Sequence, residues 1–430
     1  MKESWKLFWN KYVKANSRYW INLITSFASQ GITALSLLLI TPFLLNTLGN
    51  NDFGLYGLLV VNVLSFCLIA DLGYNTGLLR RLIHEQEKSS QLVSGGIFFY
   101  IIIWPLLMLI LYIVFSKGYL AFIEYPARYA FLLSTILVLN LMAILFDVII
   151  QSVNKIFLGK LIRIIKTIVE ALLVYLGALF YKLNGVLVAL VLVNALYIIV
   201  LALYARKENG FSLHWKYWHI QQLLQHLHYS FWYFLSALAG VMVYNAQTFL
   251  MSTLLSVTAL TSYIMITRFY EVVRIGLGNF TLILFPSISI LQKNNDWVEL
   301  KHRLRAITIR MFILCVLAAF FLLSVGKWLF MQWSGLTGDA VYRVYMAYTF
   351  LILLLIMEHV PVVFLTALKF NRYPTIVSLI QGLLGLGLAY LLIPRYGIIG
   401  AVYASLISLL LTSFWFSYWY LQKKLAVVHG

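Results

Sequence analysis

Three ionised side chains stand where a membrane-crossing segment accommodates them worst. Between Val257 and Ile290 the chain is mostly Leu, Ile, Val, Phe and Gly, yet its centre reads Thr267-Arg268-Phe269-Tyr270-Glu271-Val272-Val273-Arg274. A guanidinium group stays charged at any physiological pH and grips phosphate or carboxylate oxygens in pairs. At 1.5 Å per residue the segment is long enough to cross a bilayer of about 30 Å with some tilt. Each charge near the centre of such a helix costs roughly 2.5–3.5 kcal/mol on an insertion scale. The apolar residues of the segment return only about 5–9 kcal/mol in total. The helix is therefore stable only where its charges meet water or each other. Positions 268, 271 and 274 fall within an arc of roughly 120°, and that face is expected to line a polar cavity inside a helix bundle. A structural ion pair of Arg268 with Glu271 or another buried acid is the alternative.

A second stripe lies on the fifth apolar run, where Arg163, Lys166 and Glu170 share an arc of about 60°. Arg163 and Lys166 either join the cavity or snorkel to the nearer surface. Glu170 is too deep to snorkel and is expected to pair with a cation, Lys166 at i−4 being the nearest. Asp71, Asp147 and Glu358 sit near the ends of other runs, placed to partner an arginine or cap a bend. His359, beside Glu358, is a hydrogen-bonded structural group by default and a proton relay otherwise. Arg18, Arg80 and Arg81 fall at span ends, where lipid phosphates lie. Cys67 and Cys315 both stand in apolar runs and read as small buried hydrophobes. No His/Cys set has metal-ligand spacing, and there is neither a phosphate-binding Gly-Lys loop nor a nucleophile motif.

The elements that must hold these groups are membrane helices. Of 430 residues, 62% are hydrophobic and 11% charged, far below the roughly 25% charged residues of soluble domains. The net charge of +18 suits anionic lipid head groups. The basic residues are scattered through short loops, which excludes a nucleic-acid-binding domain. Apolar runs of helical length number about twelve, near 20–45, 53–75, 95–116, 128–152, 157–181, 184–205, 228–255, 257–290, 307–333, 341–367, 374–394 and 397–421. With the N-terminus inside, Lys and Arg divide about 21 to 6 in favour of the cytoplasmic segments, so both termini are expected in the cytoplasm. The longest polar interruption, Arg206–His228, suits an amphipathic connector helix on the cytoplasmic face. It divides the chain into an N-terminal lobe (1–205), a connector (206–227) and a C-terminal lobe (228–430).

The halves resemble each other. Pro42-Phe-Leu-Leu-Asn-Thr-Leu48 matches Thr248-Phe-Leu-Met-Ser-Thr-Leu254, and Asn184-Gly-Val-Leu-Val-Ala189 matches Tyr396-Gly-Ile-Ile-Gly-Ala401. Six spans per half put the repeat axis along the membrane normal. The expected fold is all-α and integral to the membrane, with about twelve helices in two six-helix lobes.

Particular stretches carry a family resemblance. Pro42-Phe-Leu-Leu-Asn-Thr-Leu-Gly-Asn-Asn-Asp-Phe-Gly-Leu55 and Ala70-Asp-Leu-Gly-Tyr-Asn-Thr-Gly-Leu-Leu-Arg80 resemble the first two spans of Wzx-type oligosaccharide-lipid flippases. Tyr396-Gly-Ile-Ile-Gly-Ala-Val-Tyr-Ala-Ser405 is similar to their last span. These flippases belong to the MOP superfamily, with the MATE drug exporters. The resemblance implies an undecaprenyl-pyrophosphate-linked oligosaccharide as substrate, moved between leaflets of a bacterial inner membrane by alternating access. Membrane lipids and other polysaccharide-assembly membrane proteins are its implied partners, and no cofactor is implied. Arg163, Lys166, Arg268 and Arg274 would hold the pyrophosphate. Asn22, Gln30, Asn245 and Gln247 would hydrogen-bond the sugars, and Arg18, Arg80 and Arg81 would form the cytoplasmic mouth. Where the family often has an Asp in its seventh span, this chain reads Asn245-Ala246-Gln247. A MATE-like exporter is the first alternative, weakened because Trp20–Leu45 carries no charge. A membrane-embedded polymerase or ligase, which needs a substantial outer loop, is the second.

Overall fold

A computed structural model describes residues 17–116, 126–153, 155–255, 257–282, 288, 291–292, 296–368, 370 and 372–427, with the backbone alone at 17–20, 22–23, 61–65, 80, 83–84, 86, 126, 156, 246, 257–258, 278–282 and 427. Described residues form helices and connecting turns, with no strand among them. In chain order the helices are α1 (Ser17–Ala70), α2 (Tyr74–His84), α3 (Ser89–Ser116), α4 (Pro126–Ser152), α5 (Ile156–Asn209), α6 (Ile220–Tyr244) and α7 (Ala246–Leu254). They continue with α8 (Val257–Leu282), α9 (Trp297–Phe321), α10 (Lys327–Ser334), α11 (Asp339–Ala367), α12 (Arg372–Tyr396), α13 (Ile398–Leu411) and α14 (Ser413–Val427). A π-helical turn at Leu322–Gly326 joins α9 to α10, and the Tyr345 hydroxyl donates to the Leu322 carbonyl there at 2.9 Å.

Among the described residues, eight helical stretches are long and apolar enough to cross a membrane, or nine when the bent pair α6–α7 counts as one. Two of these, α1 and α5, are 54 residues long; straight, each would reach about 80 Å, more than twice a bilayer core. Each breaks once, α1 at Gly49 (φ 80°) and α5 at Tyr181–Lys182, so each supplies two passes. With α8, set apart by its three charges, the described residues make twelve passes. The chain is a multi-pass membrane protein.

The repeat appears in the backbone, in a register that differs from the sequence match at one end. Lys182 (φ 52°, ψ −140°) and Gly397 (φ 64°, ψ −143°) make the same turn. In α5, Gly177 and Gly185 touch so closely that a Cβ on Gly185 would sit 2.0 Å from the Gly177 carbonyl oxygen. Across the second turn, a Cβ on Gly400 would sit 2.5 Å from the Leu392 carbonyl oxygen. Lys182 thus corresponds to Gly397 and Gly185 to Gly400, three residues from the pairing that matched Asn184 with Tyr396. Matching glycine to glycine shifted the register by one helical turn, because Lys182 takes a left-handed conformation that favours glycine. Gly185→Ala is expected to lower the melting temperature of the purified protein by several degrees, as overpacking against backbone costs about 1–3 kcal/mol. Gly387→Ala, whose Cβ meets nothing within 4 Å, is the matched control and is expected to be neutral or slightly stabilising. Differential scanning fluorimetry in detergent compares the two.

The connector differs from the expected amphipathic helix. Gly210 (φ 73°) ends α5, a single 3-10 turn spans Trp215–Tyr217, and α6 already begins at Ile220. The His214 ring accepts from the Lys216 backbone N–H, and this local cap competes with helix formation. Trp215 and Trp218 pack instead on Phe98 of α3.

The two halves meet along α1 against α8 and α2 against α6. On the first seam Thr261 donates to the Asn50 carbonyl at 2.7 Å, and Gly57 faces Ile264. Trp333 of α10 reaches across to donate to the Leu38 carbonyl at 2.7 Å. On the second seam Gly73 and Gly77 lie against Ser230 and its neighbours on α6.

Candidate functional site

The three charges of α8 do not share one space. Glu271 accepts from Arg274 through both oxygens, at 2.9 and 2.5 Å, and the Arg274 guanidinium lies 5.7 Å from the Tyr244 ring centre. Arg268, on the other flank of the helix, is left out of this pair. Its Nη2 is buried and has no hydrogen-bond partner among the described residues. The Tyr56 hydroxyl of α1 lies within electrostatic reach of Arg268 and of Glu170 on α5. The roughly 120° that separates positions 268 and 274 on a helix therefore sends the two arginines to different compartments. Arg268 faces the seam between the halves, and Arg274 faces the interior of the C-terminal half.

The stripe on α5 forms a cluster of its own. Asp147 of α4 accepts from Arg163 at 2.9 Å, from Lys160 at 3.3 Å and from Gln151 at 3.1 Å. Lys166 and Glu170 form the expected i, i+4 ion pair, with Lys166 5.8 Å from the Tyr197 ring centre. Three cations thus meet two acids, leaving one net positive charge on the N-terminal side. Sequence reasoning did not single out Lys160 as a partner of Asp147. Tyr56 and Tyr197 carried no signal beyond being aromatic residues in apolar runs.

Asp71 is a cap rather than a cavity acid. Its carboxylate accepts from the Asn75 backbone N–H at 3.2 and 3.3 Å and from the Tyr100 hydroxyl at 2.6 Å. It fixes the break at Leu72 (φ 48°) and Gly73 (φ 74°) between α1 and α2. At the far end of α2, Arg81 binds Glu85 through both oxygens at 2.9 and 3.0 Å and contacts His226 Nδ1 of α6 at 3.3 Å. The Arg81 hydrogen bonds are the main reason that the Glu85 carboxyl, outside the spans, is pushed down to about 2. Arg81 is therefore engaged in a contact between the halves. The side chains of Arg18, Asn22 and Arg80 lie outside the described residues.

A cavity of about 730 Å³ opens in the C-terminal half, lined by α6, α8, α11 and α12 and touched by Gln30 of α1 and Thr76 of α2. Arg274, Glu358 and His359 line it. Glu358 is nearly buried and accepts from Ser417 of α14 at 3.1 Å. Gln247 lies elsewhere, a correction to its expected sugar-facing role. The break at Asn245 between α6 and α7 turns it toward Gly385 and Ser408, in a cleft of about 10 Å³ that no sugar enters. Tyr233, Ser236, Ser378 and Gln381 also line the larger cavity and were missed, since single polar residues in apolar helices look alike from sequence. No group of three or more metal-ligating side chains occurs among the described residues.

Residues 19–292 match the family described as polysaccharide biosynthesis protein. The chain belongs to that family. No curated protein sequence matches it. Among solved structures, this family member superposes on an outward-facing multidrug resistance MATE family transporter of the MOP superfamily with a TM-score of 0.69 at 10% identity, covering 95% of this chain and 96% of that one. The bent form of the Vibrio cholerae MATE transporter VcmN gives 0.65 at 16% identity over 96% and 98% of the two chains. A MOP superfamily transporter from Pyrococcus furiosus, whose binding pocket is described as having reverse polarity, gives 0.65 at 12% identity over 95% and 96%. The all-α, multi-span fold is shared with these MOP superfamily transporters, as expected from the sequence.

Proposed function

We propose that this member of the polysaccharide biosynthesis family is a Wzx-type flippase. In this reading it carries an undecaprenyl-pyrophosphate-linked oligosaccharide, an O-antigen or similar repeat unit, from the cytoplasmic to the periplasmic leaflet of a bacterial inner membrane. The observation that carries the reading is the Arg268 guanidinium, which interacts electrostatically with Tyr56 of α1 and whose buried Nη2 has no hydrogen-bond partner among the described residues. A buried polar group without a partner is costly, and a phosphate oxygen is the ligand that satisfies a guanidinium best. The positive balance of Lys160, Arg163 and Lys166 over Asp147 and Glu170 favours an anion in the same region and disfavours the cations a drug exporter handles. The lipid tail stays in the bilayer while the two halves rock about the bound head group. Both termini face the cytoplasm, in keeping with the distribution of Lys and Arg.

The test uses the purified full chain in liposomes loaded with a polyprenyl-pyrophosphate oligosaccharide bearing a fluorescent tag. Transfer between leaflets is read as the fraction quenched by impermeant dithionite. Protein-dependent acceleration of the tagged lipid, with no movement of ethidium, is the expected result. Ethidium transport with a static glycolipid would establish an exporter instead.

A further inference from the structure

The 730 Å³ cavity is unlike the region around Arg268. Its one described arginine, Arg274, is already held by both oxygens of Glu271, and Glu358 adds a carboxylate to the wall. It therefore offers no spare positive charge to a pyrophosphate, which would be buried there uncompensated. Apolar side chains such as Val243, Leu355 and Val362 make up much of its wall, but Tyr233, Ser236, Ser378 and Gln381 set hydroxyl and amide groups among them, which a hydrocarbon tail would leave unsatisfied. A neutral polyhydroxylated ligand satisfies such groups through many hydrogen bonds and lays its C–H faces on tyrosine rings. The volume is in the range of small-ligand sites and holds several pyranose rings. Position is the second argument. Arg274 is six residues beyond Arg268 on the same helix, about 9 Å along the axis and on another flank, a separation that a chain of a few linked sugars spans by passing round α8.

We propose that the carbohydrate part of the lipid-linked substrate enters the cavity of the C-terminal half, bounded by Tyr233, Ser236, Gly240, Ser378 and Gln381, while the pyrophosphate stays outside it at the seam. This inference rests on the transport reading above. It makes the cavity a measure of sugar-chain length: a carrier with one sugar needs little of it, and a complete repeat unit needs it all.

Gly240 supplies the means of testing this. It lines the cavity, and a Cβ built on it meets nothing within 4 Å, so a large side chain there enters open space rather than packed protein. Gly240→Phe is assayed in the same liposomes with two tagged substrates, a polyprenyl pyrophosphate bearing one N-acetylhexosamine and one bearing a tetrasaccharide. Transfer of the tetrasaccharide lipid is expected to fall about tenfold or more relative to that of the single-sugar lipid, the size of a moderate overpacking penalty. Ser236→Trp, from a second position on the wall, is expected to give the same selectivity. Wild-type rates for the tetrasaccharide in both variants overturn the proposal. Equal loss of both substrates with an unchanged melting temperature also overturns it, since the cavity would then serve the cycle rather than the sugar. If the wild-type protein moves neither lipid, it is the transport reading that fails.

Discussion

Arg268→Ala is expected to abolish glycolipid transfer while the protein inserts, accumulates and melts as the wild type does. The two halves of that statement have different physical origins. Truncating one side of a buried, charge-assisted contact costs about 2–5 kcal/mol, which is roughly a 30-fold to several-thousand-fold loss of transport. Stability is a separate matter. Among the described residues nothing hydrogen-bonds the Arg268 Nη2, so removing the side chain breaks no internal pair and takes an uncompensated charge out of the bundle. A fall in melting temperature would show that Arg268 holds the fold rather than the ligand. Arg268→Lys keeps the charge and loses the fork, and is expected to recover only part of the activity. Removing Glu271 as well is not expected to help. Glu271 neutralises Arg274, not Arg268, so Arg268→Ala with Glu271→Ala strands Arg274 without restoring anything. Near-normal transfer by Arg268→Ala, or rescue by the double change, removes Arg268 from the substrate site.

Some of this site was legible in the sequence, for reasons that are local. Apolar runs of bilayer length located the spans, and helical spacing found the Lys166–Glu170 pair. Spacing alone left Glu271 between two arginines, three residues to either side. Only the structure chose Arg274, in the orientation that places the acid N-terminal to the cation. What stayed hidden is tertiary. Asp147 gathers Lys160 and Arg163 across the turn between α4 and α5, so a lysine that spacing did not single out became part of an ion-pair cluster. The interaction of Tyr56 with both Arg268 and Glu170 joins residues more than a hundred positions apart, and no periodicity encodes it. Gln247 looked like a ligand-facing residue until the break at Asn245 turned it away. The C-terminal cavity was invisible for a similar reason, since scattered Ser, Tyr and Gln come to line one space only once four helices converge.

A disulfide across the α2–α6 seam is expected to stop transport reversibly. Gly77 lies so near Ser230 that a Cβ built on it falls 3.3 Å from the Ser230 Cβ, close to the roughly 3.5–4.5 Å that a disulfide requires. The Gly77→Cys, Ser230→Cys protein should therefore cross-link under mild oxidation with little backbone movement. The native thiols compete poorly, because Cys67 and Cys315 are both buried and apolar surroundings keep such thiols unreactive. The seam already joins the halves through Arg81 and His226 and through the glycine contacts of Gly73. A transporter that rocks its halves apart must part this seam once per cycle, and a covalent bridge forbids that step. Transfer of the tagged lipid should fall to the protein-free rate on oxidation and return on addition of dithiothreitol, whereas either single cysteine variant should be unaffected by oxidant. A fully cross-linked protein that still moves lipid would place the moving seam elsewhere and leave α2 and α6 as a fixed hinge.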